Sequence, residues 1–135
     1  MKPVMLFFFL AMMIGFGHEP VDVNEVPLNQ EFDLKAGEEV VIKGTKLKVK
    51  FLEVLEDSRC PEDVQCVWQG NGKLNLELKK SNRKTAVATV NTGLEPKQAS
   101  FKKSTVRLVK LSPNPRSNVK IEPDQYVATL IVTRR

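Results

Sequence analysis

The segment TKLKVKF, residues 45–51, decides the fold class of this 135-residue chain. Leu47, Val49 and Phe51 alternate with three lysines, so apolar and charged side chains point to opposite faces of an extended backbone. This is the pattern of a β-strand with one face on a core and the other in water. The segment therefore predicts a sheet that is covered on one side.

The alternation changes phase directly after this segment. Leu52 and Val54 are apolar on the opposite parity from Phe51, which predicts a β-bulge near residues 51–53 or a strand covered on both faces there. Other segments alternate in the same way or are apolar on both parities, as central strands are. These predicted strands are 31–35, 39–43, 73–79, 85–91, 105–111 and 126–135.

The segments between these strands are rich in Gly, Pro and Asn, which form turns. Residues 92–104 and 112–118 are predicted to be loops, and no segment sustains the i, i+3, i+4, i+7 spacing of an amphipathic helix. The sequence therefore predicts a single all-β domain over residues 30–135. We expect an antiparallel sandwich or barrel of about seven or eight short strands.

The first 17 residues have the organisation of a secretory signal peptide. Lys2 supplies a positive charge, residues 4–14 form an apolar run, and Gly15 and Gly17 are the small residues before a cleavage site. The run is shorter than the roughly 20 residues that span a bilayer, although an uncleaved anchor is the alternative. We expect a periplasmic or extracellular protein, not lipidated at a signal-site cysteine, with residues 18–29 as an extended arm.

The charge of the chain is unevenly distributed. Residues 19–39 carry seven acids and one base, whereas residues 79–110 carry nine bases and one acid. Such asymmetry can mark an anionic partner, although a solvated sheet face is the favoured interpretation. Nucleic acid is not an expected partner, because the basic half has one aromatic residue, Phe101, and export removes the chain from nucleic acid.

The segment DSRCPEDVQCVWQGNG, residues 57–72, holds both cysteines and the only tryptophan. In an exported chain, Cys60 and Cys66 are expected to form one disulfide. Five residues separate them, whereas a redox centre usually has two, so a catalytic disulfide is not favoured. The predicted effect is local: the bond fixes the path of the chain between two strands.

Four other residues of this disulfide loop are predicted to shape it. Asp57 and Ser58 can bond nearby backbone amides, and Pro61 fixes its own backbone angle. Gly70 and Gly72 flank Asn71, and the Asn71–Gly72 pair favours a turn with positive φ.

Arg59 and Trp68 are the candidate partner-binding residues of the loop. Arg59 is expected to pair with Asp57 as a structural fork, the alternative being contact with a partner's carboxylate. Trp68 is expected to bury its rings against the disulfide or the sheet edge. The alternative is an exposed Trp68 that forms a binding platform.

No catalytic residue, cofactor or metal site is predicted. Asp57, Glu62 and Asp63 could offer oxygen ligands to calcium, but their spacing matches no calcium loop. His18 is the single histidine, which argues against zinc and leaves no catalytic triad. A pair of carboxylates in a cleft stays open as a basis for hydrolysis.

At EDSRCPEDVQCVWQG the chain resembles a group of small, exported, largely uncharacterised bacterial proteins, many of them lipoproteins. They share a D-S-R-C-P-x-x-x-x-C-x-W-x-G loop, and FDLKAGEEVVI, VRLVKLSPNP and QYVATLIVT are further similarities. The chain lacks the lipid-accepting cysteine of many members. It also reads KKSTVRLVK at a place where an aromatic residue or a glycine is expected before the strand. The resemblance implies an exported β-domain and no activity. The matching loop residues are Asp57, Ser58, Arg59, Cys60, Pro61, Cys66, Trp68 and Gly70.

Together these features predict an exported, non-enzymatic β-domain that binds a protein or a cell-envelope component. A protease inhibitor that presents the disulfide loop is the alternative, and it requires Arg59 and Trp68 to be exposed. A hydrolase with a carboxylate pair is a lesser alternative, which requires a deep pocket lined by two acids.

Overall fold

The protein is described by a computed structural model, which covers residues 24–81 and 84–135. The predicted signal peptide and residues 18–23 of the predicted arm lie outside this part of the chain. The described residues form nine strands and one 3₁₀ turn, Pro123–Gln125. The strands are β1 (Glu25–Val26), β2 (Glu31–Lys35), β3 (Glu39–Ile42), β4 (Leu47–Asp57), β5 (Gly72–Lys80), β6 (Lys84–Asn91), β7 (Gln98–Phe101), β8 (Ser104–Ser112) and β9 (Val127–Arg134).

The strands form two sheets, which confirms the all-β prediction. One has five strands in the order β1-β3-β4-β5-β6, and the other has four in the order β2-β9-β8-β7. All neighbours are antiparallel except β1 and β3. One core cluster draws on both sheets, with Phe51, Leu76 and Leu130 fully buried. The architecture is therefore a sandwich, in which the apolar faces of two sheets pack on one another.

The change of phase after Phe51 corresponds to an irregularity in the sheet, as predicted. The pairing of β4 with β5 shifts register between Phe51 and Glu53, and again between Val54 and Glu56. An extra residue at each shift reverses the parity of the strand. Val54 accordingly packs against the core, although Phe51 lies on the other parity. The strand ends at Asp57, where the disulfide loop begins.

Two short strands were not predicted. Residues 98–101, predicted as part of a loop, form β7 and pair with β8. Residues 25–26 of the predicted arm form β1 in parallel with β3, and Val26 and Leu28 pack against the core. Both strands are too short, at two and four residues, for an alternation to stand out in the sequence.

The register of the strands defines two ends of the sandwich. At one end Asp57 pairs with Gly72, and Ser112 pairs with Val127. We call it the loop end, and it carries residues 58–71, 92–97 and 113–126. At the opposite end, the turn end, Leu47 pairs with Lys80 and Ser104 with Arg134. No helix within residues 24–81 or 84–135 is long and apolar enough to cross a membrane.

Candidate functional site at the loop end

The predicted disulfide is present between Cys60 and Cys66, whose Cα atoms lie 6.0 Å apart. The base of the loop continues the pairing of β4 and β5. Ser58 N donates to the carbonyl of Asn71 at 2.8 Å, and Cys60 N donates to the carbonyl of Gln69 at 2.9 Å. The two sides of the loop are therefore joined by backbone hydrogen bonds up to the point where the disulfide closes the ring.

Arg59 forms the expected fork with Asp57. Its Nε donates to Oδ1 of Asp57 at 2.7 Å, and its Nη2 donates to Oδ2 at 2.8 Å. Arg59 also donates to the carbonyl of Leu111, near the end of β8, at 2.6 Å and to that of Pro113, directly after β8, at 3.0 Å. The side chain is 11% exposed. Its alternative role as a contact for a partner's carboxylate does not fit the structure, because its donors are directed into the fold.

Tyr126 completes this cluster, which we call the anchor cluster (Asp57, Arg59 and Tyr126). Its hydroxyl donates to Oδ2 of Asp57 at 2.8 Å. Burial raises the pKa of Asp57, but hydrogen bonds from Arg59 and Tyr126 and the charge of Arg59 outweigh burial, so that the pKa lies below its ordinary value. Burial, followed by the bond to Asp57 and its negative charge, raises the pKa of Tyr126 to about 12. The cluster therefore holds an ionised Asp57 and a neutral Tyr126 over a wide pH range.

A buried amide ties the loop to residues 92–97. Asn71 Nδ2 donates to Asn91 Oδ1 at 2.9 Å, and Asn71 Oδ1 accepts from the backbone N–H groups of Gly93 at 2.9 Å and Leu94 at 3.2 Å. Positive φ occurs at Gly70, at 69°, and the chain enters β5 at Gly72. The Asn71–Gly72 pair therefore does not form a hairpin turn. Asn71 instead holds two loops together.

Gly70 is required by the close approach of the loop's two sides. Its φ of 69° lies in the left-handed region, which residues with a side chain rarely adopt. A Cβ at this position would overlap the carbonyl oxygen of Ser58. Ser58 also bonds across the gap, because its Oγ donates to the carbonyl of Asn71 at 3.0 Å.

The acidic residues of the loop contact residues 113–117. Glu62 N donates to the carbonyl of Pro115 at 2.9 Å, and Arg116 Nε lies 3.3 Å from Glu62 Oε1. Asp63 Oδ1 accepts from the N–H of Ser117 at 2.8 Å, and this bond lowers the pKa of Asp63. Within the part of the chain that the structure describes, no group of three or more His, Cys, Asp or Glu side chains could hold a metal ion.

Trp68 is exposed, so the expectation that it is buried is wrong. Its exposure is 72%, that of Val67 is 104% and that of Val64 is 46%. The side chains of Leu111 and Arg59 lie against Gly72 at the base of the loop, so this position is already occupied. We call Val64, Val67 and Trp68 the apolar tip. Pro61 stands at its start, where its carbonyl accepts from Val64 N at 3.3 Å in a tight turn.

Carboxylates line a groove of about 430 Å³ beside the anchor cluster. A pair of catalytic carboxylates for hydrolysis would be expected in such a groove. Glu53, Glu56, Asp57 and Glu122 contribute to its wall. Asp57 is committed to Arg59 and Tyr126, and its lowered pKa is the opposite of what a general acid needs. Glu56 lies 3.6 Å from the ammonium of Lys73. The groove does not favour a hydrolase.

The sequence predicted roles for Asp57, Arg59, Cys60 and Cys66, which the structure brings together at the loop base. The role of Tyr126 and the buried role of Asn71 were not predicted, because their contacts join distant parts of the chain. Tyr126 gave one usable signal, as the single tyrosine at the start of an apolar strand, since a tyrosine hydroxyl needs a hydrogen-bond partner when buried.

Comparisons with protein-family models, curated proteins and solved structures find no significant match.

Proposed function

We propose that the protein is an exported binding domain without catalytic activity, whose apolar tip contacts a protein partner. The observation that carries this proposal is the exposure of neighbouring apolar side chains, Val67 at 104% and Trp68 at 72%, with Val64 close in sequence. Single exposed apolar residues are ordinary, but three within five positions of one short loop offer the kind of apolar surface that marks interaction sites. Tryptophan is among the residues that contribute most to binding free energy at interfaces.

The base of the loop supports the same role. Three contacts hold the loop: the disulfide, the fork between Arg59 and Asp57, and the hydrogen bond from the buried amide of Asn71. A loop that is already ordered loses less conformational entropy on binding, and each immobilised side chain otherwise costs about 0.5–1.5 kcal/mol. The arrangement therefore favours presentation of Trp68 to a partner in one fixed orientation.

The anchor cluster also supports a non-enzymatic role. Both carboxylate oxygens of Asp57 accept hydrogen bonds from within the fold, and Arg59 donates to two further carbonyls. Catalytic acids and bases need a pKa close to the working pH and access to a substrate proton. The pKa values of Asp57 and Tyr126 are instead shifted away from neutrality, as in a cluster that stabilises structure.

Export is supported by two independent features. The disulfide is of a kind that persists in oxidising compartments such as the periplasm or the extracellular space. The charged start, apolar run and small residues of positions 1–17 fit a secretory signal. We place the partner in the same compartment.

Recovery of a partner by immobilised protein tests the proposal. The full chain is attached through its C-terminus, which follows β9 at the turn end and leaves the loop end free. Wild type, Trp68→Ala and Val87→Ala are compared on secreted and envelope fractions, and recovered proteins are quantified by mass spectrometry. Val87 is the matched control, because it is an apolar residue 59% exposed on β6, away from the loop.

We expect one protein to be recovered equally by wild type and Val87→Ala and at least tenfold less by Trp68→Ala. The dissociation constant for that protein, measured with purified components, should change in the same way. Equal recovery by all three forms would remove the apolar tip as the recognition surface.

A protease inhibitor is the second candidate, favoured by the exposure of Val67 and Trp68 directly after the ring that the Cys60–Cys66 disulfide closes. Its requirement that Arg59 also be exposed is not met. A protease that cleaves after aromatic residues is the relevant enzyme to assay. Saturable inhibition with an intact loop would favour this candidate, whereas cleavage after Trp68 or unchanged protease activity would exclude it.

A further inference from the structure

The turn end of the sandwich concentrates basic side chains. β4 and β8 begin there and β5 and β9 end there, so that Leu47 lies opposite Lys80 and Ser104 lies opposite Arg134. The turn between β7 and β8 adds Lys103 at the same end. Residues that are far apart in the sequence are thus gathered by the topology, which composition alone does not show.

These side chains surround a cleft of about 470 Å³. Lys46, Lys80, Lys103 and Arg134 line it, together with the hydroxyl-bearing residue Ser104, and no carboxylate is among the described residues of its wall. A concave surface that is lined by one sign of charge focuses the electrostatic potential and raises the local concentration of counter-ions.

The cationic groups of the cleft have no carboxylate partner among the described residues. In residues 24–81 and 84–135, none of the four side chains forms an ion pair. Arg134 Nη2 donates to the carbonyl of Gly44 at 3.1 Å, which fixes the guanidinium at the cleft. A guanidinium has five N–H donors, so it can hold this carbonyl and still bind an anion. Four cations close together repel one another, and a bound anion offsets that repulsion.

We propose that this cleft binds an oxyanion, that is, a phosphate or sulfate group. Such a group spreads its negative charge over several oxygens, each of which can accept from a different lysine or from the guanidinium fork of Arg134. Ser104 also lines the cleft, and its hydroxyl is a further donor. A free ion and the headgroup of an anionic lipid both present this chemistry. The site is remote from the apolar tip and does not depend on the function proposed above.

Calorimetric titration of the full chain with inorganic phosphate, in a chloride buffer of low ionic strength, tests the site. We expect saturable binding that weakens as the salt concentration rises. Lys46→Gln/Lys103→Gln should bind phosphate at least tenfold more weakly. The matched control, Lys97→Gln/Lys110→Gln, removes the same charge from exposed positions outside the cleft and should stay within twofold of wild type. Trp68→Ala should also bind phosphate normally.

Absence of saturable binding, or an equal loss in both double variants, would overturn the proposal. Circular dichroism establishes that each variant is folded, as expected for Lys→Gln changes at exposed positions.

Co-sedimentation with vesicles distinguishes the two sources of phosphate. Vesicles of phosphatidylglycerol are compared with vesicles of phosphatidylcholine. All protein forms have the same N-terminal segment, so that any binding by its apolar run is the same in each. If a lipid is the source, wild type sediments with the anionic vesicles, the cleft variant does so at least tenfold less, and free phosphate competes. If the free ion is the source, phosphate binds as above and the variants sediment alike.

Discussion

The hydroxyl of Tyr126 donates a 2.8 Å hydrogen bond to Oδ2 of Asp57, a residue 69 positions earlier in the chain. Asp57 is the last residue of β4 in one sheet, and Tyr126 directly precedes β9 in the other. The bond therefore joins the two sheets at the base of the disulfide loop. The same carboxylate holds Arg59, which reaches the carbonyls of residues 111 and 113.

The ionisation of Tyr126 reports on this bond directly, because the chain has a single tyrosine. Its folded-state pKa is about 12, against an ordinary value of 10.0. Since the folded value is the higher one, the contribution of Tyr126 to stability is complete below about pH 10 and is lost as the pH rises through the folded pKa. Ultraviolet titration should give a midpoint near 12 in wild type and a lower one in Asp57→Asn, where the negative charge is absent. A wild-type midpoint near 10 would mean that the bond does not form in solution.

Replacement of Arg59 by methionine should destabilise the fold by about 3 kcal/mol, because it leaves a largely buried carboxylate without its main partner. Urea unfolding measures this change. Arg116→Met is the control, since Arg116 pairs with Glu62 at a site where its side chain is 60% exposed, and exposed pairs contribute about 1 kcal/mol or less. Similar losses in the two variants would show that the fork is no stronger than a surface ion pair.

Loss of Asn71 should also cost about 2–3 kcal/mol. Asn71→Ala leaves Asn91 Oδ1 and the N–H groups of Gly93 and Leu94 without their partner, and each unpaired buried group costs about 1–3 kcal/mol unless water reaches it. Asn75→Ala removes an exposed bond to Thr89 and should cost about 1 kcal/mol or less. Thermal unfolding of both variants provides the comparison, and an unchanged midpoint for Asn71→Ala would contradict the assigned role.

Removal of the disulfide should lower stability by about 2 kcal/mol, as a ring this short removes little entropy from the unfolded chain. Cys60→Ser/Cys66→Ser should stay folded, because the anchor cluster and the backbone bonds at the loop base remain. Equal denaturation midpoints with unchanged m-values would contradict this prediction.

The sequence predicted the strands where apolar alternation was long, as at Leu47–Phe51 and residues 73–79. It also located the irregularity after Phe51, because a bulge changes the parity of the pattern. It did not show β1 or β7, because two and four residues are too few for a period of two to stand out. It could not choose between sandwich and barrel, since that depends on which strands pair at the sheet edges.

At the loop end, the local pairs were predictable and the distant ones were not. Arg59 lies two positions from Asp57, so their fork follows from sequence spacing. Tyr126 meets Asp57 only because two sheets pack together. Burial of Trp68 was expected from its apolar surface, but Leu111 and Arg59 occupy the base of the loop. The basic cleft was not predicted, because its four cations come from turns and strand ends that are far apart in the sequence.

The most direct test of the binding role is the backbone mobility of the apolar tip in the free protein, measured by nitrogen-15 relaxation. A loop that presents Trp68 in a fixed orientation should give order parameters at Val67 and Trp68 near the value of about 0.85 for rigid backbone. Arg59→Met should lower both values, while Arg116→Met should leave them unchanged. Order parameters below about 0.6 in the wild-type protein would show a flexible loop and contradict preorganised recognition.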